Sequence, residues 1–182
     1  MSAYADVEEL FHSSVGEEYL GEDITLVEHM IQCGELAIGA GAPDWLVVAA
    51  LLHDIGHMLV TDAHAAQDAG VDLHHDEVGA EWIANRFPEN VVEAVRLHVD
   101  AKRYLVSTDP SYIEKLSDAS RQTLEIQGAG MDADEIAIFR SLPYSDEAIQ
   151  LRLWDDLGKI RGASTLTIKD FQKRIENVEA TR

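Results

Sequence analysis

The 182-residue sequence is poor in cysteine and in basic residues. Cys33 is the only cysteine, so a disulfide within the chain is excluded, and we expect a reducing, cytoplasmic location. Lysine and arginine together number 14 against 34 aspartates and glutamates, which gives a formal net charge of −20. Such a chain repels phosphate backbones and anionic lipid headgroups, so we expect neither nucleic acid nor a membrane surface as its partner.

Long hydrophobic runs are also missing. No apolar stretch reaches the length of a membrane span, and the first ten residues lack the basic and apolar regions of a signal peptide. Hydrophobic residues still make up 46% of the chain and charged residues 26%, which is an ordinary globular balance. This balance at 182 residues predicts a single domain, residues 1–182, whose core needs no disulfides.

Helical periodicity dominates the sequence, and strand-like alternation is scarce. Thr25 and Glu28 form a T-x-x-E capping box, which predicts the start of a helix. One helix is predicted from Glu89 to Val99 and on towards Lys102. The longest irregular stretch, Met58–Leu73, has a length typical of a functional loop or a lid. The sequence therefore predicts an all-α fold, a compact bundle of eight to ten helices.

The strongest chemical signal is His53-Asp54, which ends a predicted buried helix in the segment ALLHDIGH. An aspartate is rarely buried unless it is paired or binds a metal. Further candidate ligands lie on other predicted helices or at their ends: His29, His75, His98 and Asp155. Four imidazoles and two carboxylates suit iron, zinc or manganese more than calcium, and six ligands exceed those of one structural zinc. The set predicts two metal ions that share one carboxylate, with Asp54 as the natural bridge.

Each of these ligands has a competing interpretation when it is taken alone. A single histidine on an apolar helix face is more often a hydrogen-bonded core residue than a ligand. Asp156 competes with Asp155, and His74 competes with His75. The combination with ALLHDIGH favours the metal interpretation, because all the alternatives would have to hold independently.

The order H…HD…D resembles the HD-domain superfamily, whose members are helical, metal-dependent and mostly phosphohydrolases. The two extra histidines are typical of its two-metal members. Four segments narrow the resemblance to the mixed-valent diiron oxygenases of phosphonate catabolism: YLGEDITLVEH (Tyr19–His29), HVDAKRYLVS (His98–Ser107), LSDASRQTLEIQG (Leu116–Gly128) and RLWDDLGK (Arg152–Lys159). The resemblance extends from Tyr19 to Lys159 and implies an HD-domain helical bundle.

This resemblance implies an Fe(II)/Fe(III) pair, with O2 as co-substrate. The implied ligands are His29, His53, Asp54, His75, His98 and Asp155. The implied substrate is a small hydroxyphosphonate, 2-amino-1-hydroxyethylphosphonate or its N-trimethyl analogue. Its C–P bond would be cleaved to give phosphate plus glycine or glycine betaine. Among the implied catalytic residues Tyr19, Glu22 and Lys102, the tyrosine would occupy an iron position until substrate displaces it, and Glu22 would contact the cationic nitrogen.

Other polar residues in these motifs suit the anionic end of such a substrate. Lys102 lies four residues after His98, and Arg152 lies three residues before Asp155, so each should face the metals. The residues predicted to bind the phosphonate dianion are His57, Lys102, Ser120, Thr123 and Arg152. Alternatively, Arg152 forms a salt bridge with Asp155 or Asp156, and Lys102 is solvated.

Three other functions compete with the oxygenase. An HD-type phosphohydrolase would release phosphate without a redox step, but it has no evident use for the Tyr19/Glu22 pair. The related inositol-oxygenase type has a much longer chain and a polyol substrate, which needs no partner for a cation. A non-catalytic HD module tends to lose metal ligands, whereas here every ligand position is filled.

Overall fold

The computed structural model describes residues 2–14, 19, 21–60, 65–66 and 69–179. These residues form eleven α-helices and two short 3₁₀-helices, and they contain no β-strand. The α-helices are α1 (Ala3–Ser13), α2 (Leu26–Gly39), α3 (Asp44–Leu52), α4 (His75–Ile83), α5 (Glu89–Arg96), α6 (His98–Thr108), α7 (Tyr112–Lys115), α8 (Asp118–Ile126), α9 (Ala133–Ser141), α10 (Ser145–Leu157) and α11 (Gln172–Val178). The 3₁₀-helices are Ile55–Met58 and Ile168–Phe171. The all-α prediction is confirmed.

The apolar helix α3 forms the centre of the core. Every residue from Leu46 to Leu52 is buried, and α3 packs against α2, α5, α10 and α11. Because its side chains are apolar nearly all round, this helix can be covered on every side. Its last turn carries the His53-Asp54 pair into the interior, where both residues are at most 1% exposed. No helix in the described part of the chain is both long and apolar enough to cross a membrane.

The predicted helix from Glu89 towards Lys102 is two helices, and this break accounts for an eleventh helix. The chain turns at Leu97, between α5 and α6. His98 Nδ1 lies 2.6 Å from the carbonyl oxygen of Val95, which a continuous helix would use for its own next turn. The break therefore accompanies a histidine that bonds to the backbone three residues earlier.

One other prediction is met only in part, and a second falls partly outside the described residues and stays a prediction. The Thr25 side chain accepts a hydrogen bond from the Glu28 backbone N–H at 3.3 Å, but the Glu28 carboxylate accepts from the Gly162 N–H and not from the Thr25 backbone. Only half of the predicted capping box is therefore formed. The predicted lid, Met58–Leu73, includes residues 61–64 and 67–68, which lie outside the described residues.

Candidate metal centre

Asp54 lies between two pairs of histidines and turns one carboxylate oxygen to each pair. Its Oδ2 is 3.5 Å from Nε2 of His29 and 3.4 Å from Nε2 of His53. Its Oδ1 is 3.3 Å from Nε2 of His75 and 3.5 Å from Nε2 of His98. The two Nε2 atoms are 3.2 Å apart within the first pair and 3.1 Å apart within the second. The arrangement can hold one metal ion beside each pair, with Asp54 shared.

A second carboxylate, Asp155, completes the first histidine pair. Its Oδ1 is 3.4 Å from His29 Nε2, and its Oδ2 is 3.8 Å from His53 Nε2. The neighbouring Asp156 points away and pairs with Arg152. His74, the competitor of His75, has a side chain that is 70% exposed and lies outside the cluster. The structure thus brings together all six predicted ligands and neither of their two competitors.

The histidine tautomers suit metal ligation. The Nδ1 atoms of His29 and His53 each lie 2.9 Å from a backbone carbonyl oxygen, those of Gly158 and Ala50 respectively. A carbonyl can only accept a hydrogen bond, so Nδ1 donates to it and Nε2 is the atom that faces a metal. The same contact orients His98. Burial opposes the shift, but Cys33, Asp155 and Asp54 raise the pKa of His29 well above its ordinary value, so a metal ion would replace a proton on its Nε2. Burial and His57 lower the pKa of His75 to about 3, which keeps that imidazole neutral.

Two buried carboxylate oxygens test whether a cation fits this cluster. Asp54 Oδ2 and Asp155 Oδ1 have no hydrogen-bond partner, although both side chains are about 2% exposed. Burial alone would raise the pKa of Asp54, but His53 and His29 outweigh it and hold that pKa well below its ordinary value. An ionised, buried and unpaired carboxylate is costly, and bound metal ions would supply the missing charge. The residues present therefore fit two metal ions.

Gly56 permits the close contact that brings His75 to Asp54. A Cβ atom at Gly56 would lie only 1.9 Å from the carbonyl oxygen of His75. The 3₁₀-helix Ile55–Met58 packs here against the start of α4. A side chain at this position would separate the two ligand-bearing segments. The glycine of the HDIG sequence is thus required by packing at the metal site.

A pocket of about 730 Å³, part of it open to solvent, adjoins the metal cluster. All seven predicted substrate residues line it: Tyr19, Glu22, His57, Lys102, Ser120, Thr123 and Arg152. Four of the proposed ligands, Asp54, His75, His98 and Asp155, also line it, whereas His29 and His53 do not. A molecule in the pocket would therefore lie next to the candidate metal ligands.

Two aromatic rings of the pocket stack on candidate metal ligands. The Tyr19 ring stacks on His29 with a centroid distance of 4.3 Å, and His57 stacks on His75 at 4.0 Å. Burial, followed by the charges of Asp54 and Asp155, raises the pKa of Tyr19 well above its ordinary value. The phenol thus stays protonated while the two carboxylates are ionised.

Lys102 and Arg152 place buried positive charge beside the metal ligands. Lys102 is 2% exposed and its Nζ donates to Thr123 Oγ1 at 3.1 Å, so it is not a solvated side chain. Burial, with a smaller effect of Arg152, lowers the pKa of Lys102 to about 7. Arg152 donates to Asp155 Oδ2 at 2.6 Å, to Asp156, and to the Tyr112 hydroxyl at 3.1 Å. The alternative prediction, salt bridges from Arg152 to the neighbouring aspartates, is confirmed for both Asp155 and Asp156. Arg152 also lines the pocket.

Lys159 is a pocket residue that the sequence interpretation missed. Its Nζ donates to Glu22 Oε1 at 2.7 Å and to Ser120 Oγ at 2.8 Å. Ser117 Oγ also donates to Glu22 Oε1, at 2.5 Å. Glu22 is therefore half of an ion pair and not a lone carboxylate. The available signal was the position of Lys159 at the end of the RLWDDLGK segment.

Cys33 was also missed, although it lies one helical turn after His29. Its Sγ is 3.8 Å from His29 Nε2, and His29, Cys33 and His53 form a group that could hold a metal. The thiol donates to the Trp154 carbonyl at 3.7 Å, and burial raises its pKa. A protonated thiol is a poor ligand, so the carboxylates of Asp54 and Asp155 complete this side better.

The chain is similar to known proteins over most of its length. The HD domain family model matches residues 26–159. The chain is 43% identical over 150 residues to the 1-hydroxy-2-(trimethylamino)ethylphosphonate dioxygenase (glycine-betaine-forming) of Leisingera caerulea, covering 82% of this chain and 76% of that protein. It is 38% identical over 164 residues to the hydroxymethylphosphonate dioxygenase of Gimesia maris, covering 89% and 81%. An uncharacterized protein of Acanthamoeba polyphaga mimivirus is 33% identical over 157 residues, covering 85% and 72%.

Proposed function

The chain belongs to the HD-domain family, and we propose that it is a diiron oxygenase that cleaves a carbon–phosphorus bond. The substrate is 2-amino-1-hydroxyethylphosphonate or its N-trimethyl analogue, and the products are phosphate plus glycine or glycine betaine. The names of the relatives in Leisingera caerulea and Gimesia maris support a hydroxyphosphonate and O2 as the reactants.

One observation carries the proposal: two histidine pairs face the two oxygens of Asp54 at the floor of a pocket that contains buried positive charge. The proposed ligands are His29, His53 and Asp155 for one iron, His75 and His98 for the other, and Asp54 for both. A mixed-valent Fe(II)/Fe(III) pair bound there would supply the redox chemistry with O2. Imidazole and carboxylate ligands suit iron in both of these oxidation states.

The other pocket residues bind and orient the substrate. Lys102 and Thr123, already hydrogen-bonded to each other, offer a charge and a hydroxyl to the phosphonate dianion, and Ser120 and His57 offer further polar contacts. Arg152 holds Asp155 in place and adds positive charge to the same wall. Tyr19, stacked on His29, covers the metal side until substrate displaces it.

Glu22 enters this proposal as the partner of Lys159. The predicted contact between Glu22 and a cationic nitrogen stays a prediction, and it would require the nitrogen to replace or join Lys159 at the carboxylate. We further propose that residues 1–182 act as a single domain. Helix α1 packs against α11, so elements near the two ends of the chain share one core.

The test is phosphate release by the iron-loaded protein with and without O2. The two aminophosphonates are compared, and glycine and glycine betaine are measured alongside phosphate. We expect release only with O2, and no release by the Asp54→Asn variant, which keeps the side-chain shape but lacks the bridging charge. Equal release from a phosphate ester in the absence of O2 would instead indicate a phosphohydrolase.

A further inference from the structure

Helix α2 binds the backbone of the segment that follows helix α10, residues 158–162. Three α2 side chains form hydrogen bonds with every second residue of this segment: His29 with Gly158, Gln32 with Ile160 and Glu28 with Gly162. Helical residues three or four positions apart share a face, so all these bonds come from one face of α2. We call residues 158–162 the α2-bound segment.

Lys159, which lies between two of the bonded residues, carries the α2-bound segment into the pocket. Its Nζ donates to Glu22 Oε1 at 2.7 Å and to Ser120 Oγ at 2.8 Å. The same Nζ lies 5.5 Å from the centroid of the Tyr19 ring. Because the backbone on both sides of Lys159 is bonded to α2, the bonds of the α2-bound segment also fix the point at which this ammonium enters the pocket.

Gln32 holds the α2-bound segment at two points. Its Nε2 donates to the Ile160 carbonyl oxygen at 2.6 Å, and its Oε1 accepts from the Ile160 N–H at 3.2 Å. One amide thus satisfies both backbone polar groups of a single residue. Gln32 is 5% exposed, whereas Ile160 is 64% exposed and gains little from packing. The backbone bonds to Gln32, and not burial of the Ile160 side chain, therefore hold this residue in place.

Gly158 brings the other end of the α2-bound segment against a candidate metal ligand. A Cβ atom at Gly158 would lie 2.7 Å from Cys33 Sγ and 3.3 Å from the Cys33 backbone nitrogen, so only glycine fits this close to α2. The Gly158 carbonyl oxygen lies 2.9 Å from His29 Nδ1, and the opposite ring nitrogen, Nε2, faces Asp54. The position of this carbonyl therefore helps to set the orientation of the His29 ring.

We propose that Gln32 is a positioning residue that sets both the metal ligand His29 and the pocket cation Lys159 through the α2-bound segment. Gln32 is not among the residues that line the pocket, so it acts through the backbone of Ile160. From there the chain leads directly to Lys159 and then to the Gly158 carbonyl. This inference rests on the proposed function, because it assigns His29 to an iron ion and Lys159 to the pocket that binds the phosphonate.

The first test is the Fe(II) affinity of Gln32→Met, measured in the absence of O2 by competition with a chromogenic chelator. Methionine has a similar length but forms neither bond to Ile160, so the α2-bound segment is released from α2. We expect the affinity for one of the two Fe(II) ions to fall about 10-fold and the affinity for the other to change by less than about twofold, because only His29 contacts this segment. Gln172→Met makes the same chemical change at a surface glutamine that donates to Glu176, and it should alter neither affinity.

The second test is a double-mutant cycle on the binding of hydroxymethylphosphonate, measured by calorimetry without O2 and with saturating Fe(II). Lys159→Met leaves Glu22 unpaired beside the dianion, so we expect it to raise Kd about 10-fold, and Gln32→Met to raise it about fivefold. Because Gln32 acts through Lys159, adding Gln32→Met to Lys159→Met should change Kd by less than about twofold. Ile175→Val removes a methyl group from the buried core, so it lowers stability but should leave Kd unchanged.

A milder variant, Gln32→Asn, keeps an amide that is one methylene too short to bond both groups of Ile160, and it should show both losses to a smaller extent. Unchanged affinities in both Gln32 variants would overturn the inference. Additive losses in the cycle, or an equal loss in Ile175→Val, would overturn it as well. If the wild-type protein binds Fe(II) but no hydroxymethylphosphonate, the proposed function fails, and the Fe(II) affinity of Gln32→Met still supports or refutes the role of Gln32 towards His29.

Discussion

Replacing Lys102 with methionine should stabilise the fold and at the same time weaken phosphonate binding. Lys102 is 2% exposed, and burial, reinforced by Arg152, lowers its pKa from the ordinary 10.5 to about 7. This difference corresponds to a cost of roughly 5 kcal/mol for the charged side chain at low pH. Methionine has a similar length and no charge. Because Thr123 loses its donor, which costs about 1 kcal/mol, we expect a net gain of about 4 kcal/mol at pH 6.

The stability gained by Lys102→Met should decrease as the pH rises. Between pH 7 and 10.5 the unfolded chain keeps the Lys102 proton while the folded chain has lost it. Wild-type stability therefore rises with pH across this window, because the unfolded state binds more protons. The penalty is fully present below pH 7 and disappears towards pH 10.5. The advantage of Lys102→Met should accordingly be largest at pH 6 and small at pH 10.

Urea unfolding at pH 6, 8 and 10 measures this prediction, with KM for the phosphonate measured in parallel. Lys115→Met makes the same chemical change at a lysine whose side chain is 64% exposed, and it should shift stability by less than about 0.5 kcal/mol. We expect KM to rise by about 10-fold or more in Lys102→Met, because a buried charge facing the dianion is lost. A variant that is less stable than wild type at pH 6, or one with an unchanged KM, would refute the reasoning.

Three further predictions concern the metal centre. Asp54→Ala should reduce bound iron from about two ions per chain to near zero by elemental analysis, because one carboxylate serves both histidine pairs; retention of one ion would argue against a bridge. Gly56→Ala should lower iron content and melting temperature, since its Cβ would lie 1.9 Å from the His75 carbonyl, whereas Gly39→Ala meets nothing within 4 Å and should be neutral. Arg152→Leu should destabilise the fold by about 3–5 kcal/mol in urea unfolding, because it leaves two carboxylates without their cation; a loss below about 1 kcal/mol would show that the pair is dispensable.

Local sequence patterns predicted most of the helices. The helix predicted to start at Thr25 is α2, and the buried helix predicted before His53-Asp54 is the central helix α3. Such features depend on residues within a few positions of one another, so they can be recognised from sequence. The break at Leu97 was not predicted, because it accompanies a side chain that bonds to the backbone at a helix junction.

The residues of the candidate site were predicted about as completely as the helices. The HD motif and the spaced ligands identified Asp54 and the five residues that converge around it, and the resembling motifs supplied seven residues that line the pocket. Lys159 was missed. It lies four residues after the predicted ligand Asp155, but helix α10 ends at Leu157, before Lys159, and a lone charged residue in an acidic chain is ordinarily solvated.

The helical class and the candidate metal ligands follow from the amino-acid sequence alone, because periodicity and local spacing are properties of neighbouring residues. Only the tertiary structure shows which of Asp155 and Asp156 faces the histidines, since both lie on helix α10 and bond to Arg152 but only Asp155 also reaches His29 and His53. It also decided that Glu22 meets Lys159, 137 residues away. Contacts between distant segments depend on how whole helices pack, and no local pattern encodes that packing.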